Sequence, residues 1–490
     1  MRLREVANLM GASADELAAE LFDKEIVDYS IDSRSVKQGE VFFALSQKDY
    51  DRAGFNGSFA DGHQYVPGAF AAGALAAVVR VDHLATEELQ PFRKKLLAVD
   101  DAILALQVFA HRVYEAWGRP VVGITGSAGK TTAKELTAHL LQSAGHRVLK
   151  SERNYNNGLG LPLTVLRMVS AGHSPSDYEV AVLEMGMSSP THEIRRLVQI
   201  TPPDIGVELM VAPVHLEHLG TIENIAAAKA ELIEGLKPDG VAVLNADDPL
   251  VMGMRSKHAG RTLTFGIENE ADVSAADIEA HRLGRIRFRL QTPLGEAPAE
   301  LPMSGRHNLM NALAAAAVAT TFDILPQAIA DYLRTVTPPK MRGEVLNFAG
   351  GFTVVDDSYN SNPRSLISMV RTIAEVKSEK TRRFVIAGEM LELGADEQDL
   401  HRQVGREIAA AGIEVLWGVR GLAQEILAGA AEAGLANTRF FDSSEEAASA
   451  ALQEVTTGDL VLIKGSRGVE TDKVVKALRQ QFPLIAEEKP

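Results

Sequence analysis

The stretch VVGITGSAGKTT at residues 121–132 is the most informative part of this chain. Its apolar start predicts a strand, its glycines predict a turn, and the Lys-Thr-Thr end predicts the first turn of a helix. Such a loop binds phosphate oxygens through backbone N–H groups, while its lysine meets the β- and γ-phosphates and its hydroxyl reaches Mg²⁺. Ile124 stands where the full Walker A pattern has its first glycine, so the shorter G-x-x-G-K-T form remains. The loop alone predicts the binding of a nucleoside triphosphate, through Gly126, Ser127, Ala128, Gly129, Lys130, Thr131 and Thr132.

The sequence around this loop alternates short apolar strands with helices. Strands are predicted at Val121–Thr125, Val180–Leu183, Ile205–Val211 and Val241–Leu244, and an Ala-rich helix is predicted at Asn308–Thr321. Alternation of this type implies βαβ units and a largely parallel sheet. The more polar stretch Asp272–Gln291 alternates with period two, which favours an antiparallel edge. The fold class predicted from these patterns is α/β.

The length of 490 residues predicts about three domains. Residues 1–97 mix short apolar runs with Gly-rich turns and predict a small α/β domain. Residues 98–336 predict the central P-loop domain with a mostly parallel sheet. The Pro338-Pro339 pair marks a linker. Residues 337–490 repeat the alternation and predict a doubly wound, Rossmann-like domain.

Composition restricts the classes of function. The balance of 50 Lys+Arg against 65 Asp+Glu gives a net charge of −15, which disfavours broad binding to nucleic acid or anionic membranes. The chain has no cysteine, which excludes disulfides, zinc–thiolate sites and cysteine nucleophiles. The N-terminal segment lacks the apolar core of a signal peptide and no stretch is long enough to span a bilayer, so the protein is predicted to be cytoplasmic. No apolar stripe indicates an obligate interface, which favours a monomer.

Three residues downstream of the loop are candidates for a nucleotide site. Glu184 follows an apolar strand, where parallel sheets place ligands of nucleotide-bound Mg²⁺, although a surface glutamate that caps a turn fits the pattern equally well. His215 could be a metal or phosphate ligand, or only a solvated histidine. Lys229 lies in a helix with apolar neighbours at core-like spacing, and this segment alone favours a snorkelling lysine.

Taken together, these segments resemble the motifs of the Mur ligase family in their order along the chain. The central block has GSAGKTT at 126–132, NYNNGLGLP at 154–162, EMG at 184–186, HLE at 215–217, AKAE at 228–231 and GRHNLMN at 305–311. The third block has DDSYNSNP at 356–363, GEMLELG at 388–394 and KGSR at 464–467, which look like the family member that adds a D-Ala-D-Ala dipeptide. DSR at 32–34 and DGH at 61–63 are similar to the family's uridine-nucleotide domain.

The resemblance implies an ATP-dependent amide ligase that adds D-Ala-D-Ala to UDP-N-acetylmuramoyl-tripeptide in peptidoglycan precursor synthesis. ATP would convert the terminal carboxylate of the tripeptide into an acyl phosphate, and the dipeptide amine would then displace phosphate. Both meso-diaminopimelate and L-lysine are compatible as the third residue of the tripeptide. The alternatives are the diaminopimelate- or lysine-adding member of the family and, from other classes, a P-loop motor or switch or a silent nucleotide-binding scaffold.

The resemblance also implies roles for individual residues. Lys130 and Thr131 would hold the phosphates and a first Mg²⁺ with Glu184, while His215 and a CO₂-derived carbamate on Lys229 would hold a second ion. Lys130, His215 and Lys229 are the implied catalytic residues. The further implied contacts are Asn308, Asn311, Arg342 and Asp357 to the nucleotide, and Ser33, Arg34, Asn157, Tyr359, Asn360 and Asn362 to the substrates. Two segments depart from the family pattern: residues 46–60 are longer and more polar, and KMRG at 340–343 replaces the commoner Gly-Arg order.

Overall fold

Three mostly parallel β-sheets organise the chain, and the predicted α/β class is confirmed. The computed structural model describes residues 1–152, 154–187, 191–213, 219–376 and 381–485, without the side chains of residues 281 and 282. Among these residues, no helix has both the length and the apolar character needed to cross a membrane. The domain boundaries after residues 97 and 336 stay a prediction.

The first sheet has parallel strands in the order β1-β2-β3-β4. Its strands are β1 (Tyr29–Ser30), β2 (Val41–Phe43), β3 (Ala76–Arg80) and β4 (Leu96–Val99), and the helices of this part are α1 (Leu3–Met10), α2 (Gln47–Arg52) and α3 (Val66–Ala71). All strand residues are buried, as in a parallel sheet covered on both faces. Helix α2 is capped by the Ser46 side chain and lies in the segment 46–60 that departs from the family pattern.

The central sheet has the strand order β13-β12-β11-β10-β9-β8-β5-β7-β6. Its strands are β5 (Val121–Thr125), β6 (Val148–Lys150), β7 (Val180–Glu184), β8 (Ile205–Glu208), β9 (Val241–Asn245), β10 (Arg261–Gly266), β11 (Val273–Arg282), β12 (Arg285–Thr292) and β13 (Gly295–Leu301). The antiparallel edge is confirmed, because β11, β12 and β13 pair as a meander. The predicted strand Ile205–Val211 is wrong over its last three residues. There, Leu209 O accepts a hydrogen bond from the Asn245 side chain, and Val211 N donates one to the Asp248 side chain. Neither backbone group pairs with the backbone of a neighbouring strand through these bonds.

Helices cover both faces of the central sheet. They are α4 (Ala102–Trp117), α5 (Lys130–Ser143), α6 (Gly160–Leu166), α7 (Glu193–Ile200), α8 (Ile222–Glu234), α9 (Pro249–Met252), α10 (Arg306–Thr321) and α11 (Pro326–Leu333). One face packs against α4, α6, α7 and α8 in a core that continues into the first sheet, and the other packs against α5 and α10. Since side chains alternate along a strand, each strand residue lies on either the α8 face or the α5 face.

The third sheet has the order β14-β15-β19-β16-β17-β18, and of these pairs only β14–β15 is antiparallel. The strands are β14 (Glu344–Asn347), β15 (Thr353–Asp356), β16 (Arg382–Gly388), β17 (Val415–Val419), β18 (Thr438–Phe441) and β19 (Asp459–Lys464), and the helices are α12 (Pro363–Ala374), α13 (Glu397–Ala410), α14 (Ala423–Glu432), α15 (Ser444–Glu454) and α16 (Asp472–Gln481). Apolar cores lie on both faces of this sheet, which confirms the predicted doubly wound architecture.

Candidate active site

The phosphate loop connects β5 to α5 and is packed against α10. Lys130 begins α5, and its Nζ donates a hydrogen bond of 2.7 Å to the carbonyl oxygen of Gly126. Gly129 has a φ of +85°, and a Cβ at this position would lie 2.3 Å from Asn311 Oδ1. Both the left-handed backbone and the close approach require glycine here. The helix that carries Asn311 is therefore in direct contact with the loop.

Two residues predicted to contact ATP use their side chains to hold the protein itself. The Ser127 hydroxyl donates to the carbonyl oxygen of Ala212 at 3.1 Å and accepts from Ala212 N at 2.9 Å. Asn308 is buried and donates from Nδ2 to the carbonyl oxygen of Ser304 at 2.8 Å. Both interactions fix the walls of the site.

A carboxylate and a hydroxyl meet at the end of the loop. Glu184, the last residue of β7, is buried; its Oε2 accepts a hydrogen bond of 2.9 Å from Thr131 Oγ1, and its Oε1 accepts one of 2.9 Å from Asn156 Nδ2. The capping of a surface turn is therefore the wrong interpretation of Glu184. A hydroxyl and a carboxylate are hard-oxygen donors of the type that Mg²⁺ prefers, so this pair fits a magnesium ion.

The third sheet contributes a cation to the same place. Arg342, which precedes β14, donates from Nη2 to Thr131 Oγ1 at 3.2 Å. Its guanidinium carbon lies 4.2 Å from the centre of the Tyr359 ring, a cation–π contact that orients the group. The altered order KMRG thus still brings an arginine to the phosphate loop.

A buried ion pair organises the turn after β15. Lys464 Nζ donates to Asp357 Oδ2 at 2.6 Å and to the carbonyl oxygen of Asn360 at 2.8 Å. The Lys464 and Asp357 side chains are 4% and 11% exposed. Asn362 Oδ1 accepts a hydrogen bond from Ser365 N at 2.9 Å and caps α12. The side chain of Asn362 therefore performs ordinary turn chemistry.

A cavity of about 520 Å³ joins the phosphate loop to the third sheet. A volume of this size is typical of small-molecule and cofactor sites. Its lining contains the predicted residues Ser127, Ala128, Gly129, Lys130, Thr131, Thr132, Glu184, Asn308, Asn311, Arg342, Asp357, Tyr359, Asn360 and Asn362. The structure therefore brings the predicted ATP-binding residues of two parts of the chain into one crevice.

Lys229, on α8, lies deep in the protein beside this crevice. Its side chain is 2% exposed, so a snorkelling lysine is the wrong interpretation. Burial, helped by the charge of Lys130, lowers the pKa of Lys229 to about 7, and the charge of Glu208 opposes the shift. Burial raises the pKa of Glu208 to about 8, against the charges of Lys229 and Lys130. Burial also lowers the pKa of Lys130, which the charges of Glu184 and Glu208 oppose. At mildly alkaline pH Lys229 therefore carries a neutral amine, the nucleophilic form of a lysine.

Known proteins share these elements along nearly the whole chain. Residues 124–319 match the Mur ligase middle domain, and residues 341–467 match the Mur ligase, glutamate ligase domain. The UDP-N-acetylmuramoyl-tripeptide–D-alanyl-D-alanine ligase of Bacillus subtilis (strain 168) is 32% identical over 477 residues, which cover 97% of this chain and 98% of the relative. The chain belongs to the Mur ligase family.

Solved structures agree with this assignment. A crystal structure of MurF from Acinetobacter baumannii superposes with a TM-score of 0.83 at 26% identity and covers 98% of both chains. MurF from Thermotoga maritima in complex with ADP gives a TM-score of 0.78 at 26% identity and covers 93% of this chain and 97% of that one. The predicted family and its three-part α/β architecture are thereby confirmed.

Several residues predicted for this Mur ligase site do not line the cavity. His215 lies outside the described residues. Ser33 and Arg34 lie in the first part of the chain, where Arg34 pairs with Asp32 at 2.8 Å and is 87% exposed. Asn157 Oδ1 accepts hydrogen bonds from two backbone N–H groups at the start of α6. The roles of these residues in binding substrate or metal stay predictions.

The Mur ligase crevice also contains residues for which the sequence predicts no individual role. Of these, Asn154, Asn156, Arg306, His307 and Lys464 lie in the motifs shared with the family, and Asn245, Asp247, Glu268, Arg364 and Ser368 do not. Lys464 ends an apolar strand, which is the same signal that selects Glu184. Glu208 interrupts an apolar run, and a charged residue in such a run is a usable signal. His307 Nδ1 lies 3.0 Å from Ser368 Oγ, and burial lowers its pKa to about 4. Only the folded chain reveals that contact, because 61 positions separate the two residues.

Proposed function

We propose that this Mur ligase joins D-Ala-D-Ala to UDP-N-acetylmuramoyl-tripeptide and converts ATP to ADP and phosphate. The observation that carries the proposal is the meeting of Thr131, Glu184 and Arg342 at the mouth of the phosphate loop. The 32% identity to the UDP-N-acetylmuramoyl-tripeptide–D-alanyl-D-alanine ligase of Bacillus subtilis, along 97% of the chain, supports the choice of substrates. It favours the dipeptide-adding reaction over the diaminopimelate- or lysine-adding alternative.

The arrangement suits the activation of a carboxylate by phosphate transfer. A carboxylate is a poor electrophile, and its attack on the γ-phosphate brings two anions together. Lys130 from the loop and Arg342 from the third sheet place two cations beside that path, which lowers the electrostatic cost of the approach. The acyl phosphate that forms has phosphate as a leaving group, and the free amine of the dipeptide displaces it to give the amide.

Thr131 and Glu184 would hold a Mg²⁺ ion next to these cations. When bound, this ion would neutralise phosphate charge. Before nucleotide binds, the Thr131 hydroxyl already contacts both Glu184 and Arg342. These three residues therefore need little rearrangement to receive a nucleotide.

The two sides of the crevice have separate roles in holding ATP. Asn311 contacts the phosphate loop, and Asp357 is fixed from the other side by Lys464. We assign Asn308, Asn311 and Asp357 to contacts with the nucleoside. Because Asn308 and Asn311 lie on α10 and Asp357 follows β15 of the third sheet, ATP binding favours the arrangement in which these two parts are close together and water is excluded.

The first part of the chain, residues 1–97, is proposed to bind the UDP-sugar end of the tripeptide substrate. Ser33, Arg34 and Asn157 are the assigned contacts, and Tyr359, Asn360 and Asn362 are assigned to the opposite, dipeptide side. The high exposure of Arg34 leaves its guanidinium accessible to an anionic ligand. This division also supports boundaries near residues 97 and 336.

Lys229 is proposed to carry a carbamate. A neutral amine adds to CO₂, the N–C bond forms, one proton is released, and the product is an anion with two oxygen donors. The lowered pKa of Lys229 supports this reaction because it makes the neutral amine available near pH 7. With His215, the carbamate would hold the second Mg²⁺ ion. Native mass spectrometry under acid-free conditions tests this assignment. Unmodified Lys229 in active enzyme would contradict it.

Phosphate release separates ligation from the other possible activities. ATP is supplied with UDP-N-acetylmuramoyl-tripeptide alone, with D-Ala-D-Ala alone and with both. The ligase predicts sustained phosphate release and amide product only when both substrates are present. A motor or switch would release phosphate equally with and without these substrates. A scaffold would bind ATP tightly without turnover. Lys130→Met is the matched negative control.

A further inference from the structure

A buried carboxylate that interacts with Lys130 of the phosphate loop has no hydrogen-bond partner among the described residues. Glu208 ends β8, is completely buried, and neither of its oxygens has a hydrogen-bond partner among the described residues. Thr125 ends β5, and its hydroxyl is buried and unpartnered within the same part of the chain. Buried polar groups in folded proteins are normally satisfied by protein, water or an ion. Three oxygen atoms therefore need a partner in this region.

These oxygens share one face of the central sheet. Thr125 and Glu208 are paired residues of neighbouring parallel strands, so their side chains project to the same side. Gly206 precedes Glu208 by two residues, and a Cβ there would meet Leu232 of α8 and Leu236 just after it. The shared face is therefore the α8 face. Lys229 belongs to α8, and the charges of Lys229 and Glu208 interact.

Glu184 lies on the opposite face at the same edge of the sheet. Val182, two residues before Glu184, packs in the core formed with α5. Lys130 interacts electrostatically with both Glu184 and Glu208. The loop therefore has one carboxylate on each side, and Lys130 and Lys229 are the ammonium groups that interact with Glu208.

Catalysis changes this balance of charge around Glu208. Phosphates draw the Lys130 ammonium toward the nucleotide, and CO₂ addition converts the neutral amine of Lys229 into an anion. Glu208 would then lie beside a carbamate, and neither lysine would supply a positive charge to balance the carbamate. A buried carbamate anion beside the oxygen atoms of Glu208 calls for a cation between them.

We propose that Glu208 and Thr125 are ligands of the second divalent cation, on the α8 face of the sheet, apart from the ion at Thr131 and Glu184. The ligand set would combine the Glu208 carboxylate, the Thr125 hydroxyl and the carbamate of Lys229, all hard-oxygen donors suited to Mg²⁺ or Mn²⁺. The inference rests on the proposed ligase function, because it uses the carbamate assigned there. It adds two ligands to the site of that second ion.

Mn²⁺ counting tests the inference with a readout other than activity. Full-length protein is titrated with Mn²⁺ in the presence of ADP and bicarbonate, and free Mn²⁺ is counted by electron paramagnetic resonance. We expect two bound ions in the unchanged protein and one in Glu208→Gln. Glu184→Gln is the matched control on the opposite face, and we expect it to lose the other ion while retaining the one near Glu208.

Thr125→Val tests the second ligand without removing a charge. We expect this variant to bind the second Mn²⁺ about 10-fold more weakly or worse, and Thr125→Ser to bind it normally. Two ions of unchanged affinity in both Glu208→Gln and Thr125→Val would overturn the inference. So would a lower Tm for Glu208→Gln with unchanged Mn²⁺ binding, since that result indicates only an ion pair with Lys229.

Amide synthesis by the unchanged protein separates this inference from the proposed function. If the unchanged protein makes amide and both Mn²⁺ ions still bind to Glu208→Gln, the ligand assignment is wrong and the ligase function stands. Absence of synthesis, together with a second Mn²⁺ site that depends on Glu208, contradicts the ligase and supports the cation site.

Discussion

Replacement of Thr131 by valine is expected to weaken ATP-dependent amide synthesis strongly. The Thr131 hydroxyl donates to the Glu184 carboxylate at 2.9 Å and accepts from the Arg342 guanidinium at 3.2 Å. Valine has the same shape but cannot make either bond. A hydrogen bond to a charged group contributes about 1.5–3 kcal/mol, and about 1.4 kcal/mol corresponds to a tenfold change in rate. We therefore expect kcat/KM for ATP to fall about 10- to 150-fold.

Thr131→Ser is the matched control, because serine retains the hydroxyl. Glu184 keeps its hydrogen bond from Asn156 in either variant, so no carboxylate is left unpartnered and the fold should persist. Amide product is measured by chromatography at varied ATP and Mg²⁺, and Tm is measured in parallel. The valine variant should also need more Mg²⁺ for half-maximal rate. Equal kcat/KM for the valine and serine variants, within twofold, would refute the proposed role of this hydroxyl.

Three further predictions concern the ion pair, the loop glycine and the carbamate. Lys464→Met leaves the buried Asp357 carboxylate uncompensated and should lower the free energy of unfolding in urea by about 3–5 kcal/mol. Lys473→Met removes two exposed ion pairs and should leave the urea midpoint unchanged. Gly129→Ala would place a Cβ against the Asn311 side chain and should weaken ATP binding in calorimetry about 10-fold or more. Gly145→Ala has a similar φ but open space around it and should leave ATP binding unchanged. Equal affinities of the two variants would contradict the steric argument. Burial lowers the pKa of Lys229 to about 7, so the neutral fraction of this lysine rises as pH increases through 7. The ¹³C signal of the carbamate should therefore increase between pH 6 and 8 at constant dissolved CO₂. A carbamate signal that is independent of pH would contradict this expectation.

The sequence predicts the parts of the fold that depend on local patterns. The strand over Val121–Thr125 is confirmed with the same bounds, because apolar periodicity and Gly-rich turns are local signals. The strand at Ile205–Val211 is predicted too long, because its end is determined by side chains about 36 positions away. No local pattern contains that information.

The same distinction applies to the site. The phosphate loop and Glu184 can be found from motif and strand-end position. The contact of Arg342 with Thr131, across 211 positions, and the ion pair of Lys464 with Asp357, across 107, depend on how the central and third sheets meet. Glu208 lies in the predicted strand, but that its oxygens have no hydrogen-bond partner among the described residues emerges only when the neighbouring strands and α8 are in place.

The central claim, that ATP phosphorylates the terminal carboxylate of the tripeptide, can be tested by following one oxygen atom. UDP-N-acetylmuramoyl-tripeptide labelled with ¹⁸O in that carboxylate is incubated with ATP and D-Ala-D-Ala, and the released phosphate is analysed by mass spectrometry. An acyl phosphate predicts that one ¹⁸O atom appears in each phosphate, because its C–O bond breaks when the amine attacks. Amide product accompanied by phosphate without ¹⁸O would contradict the account.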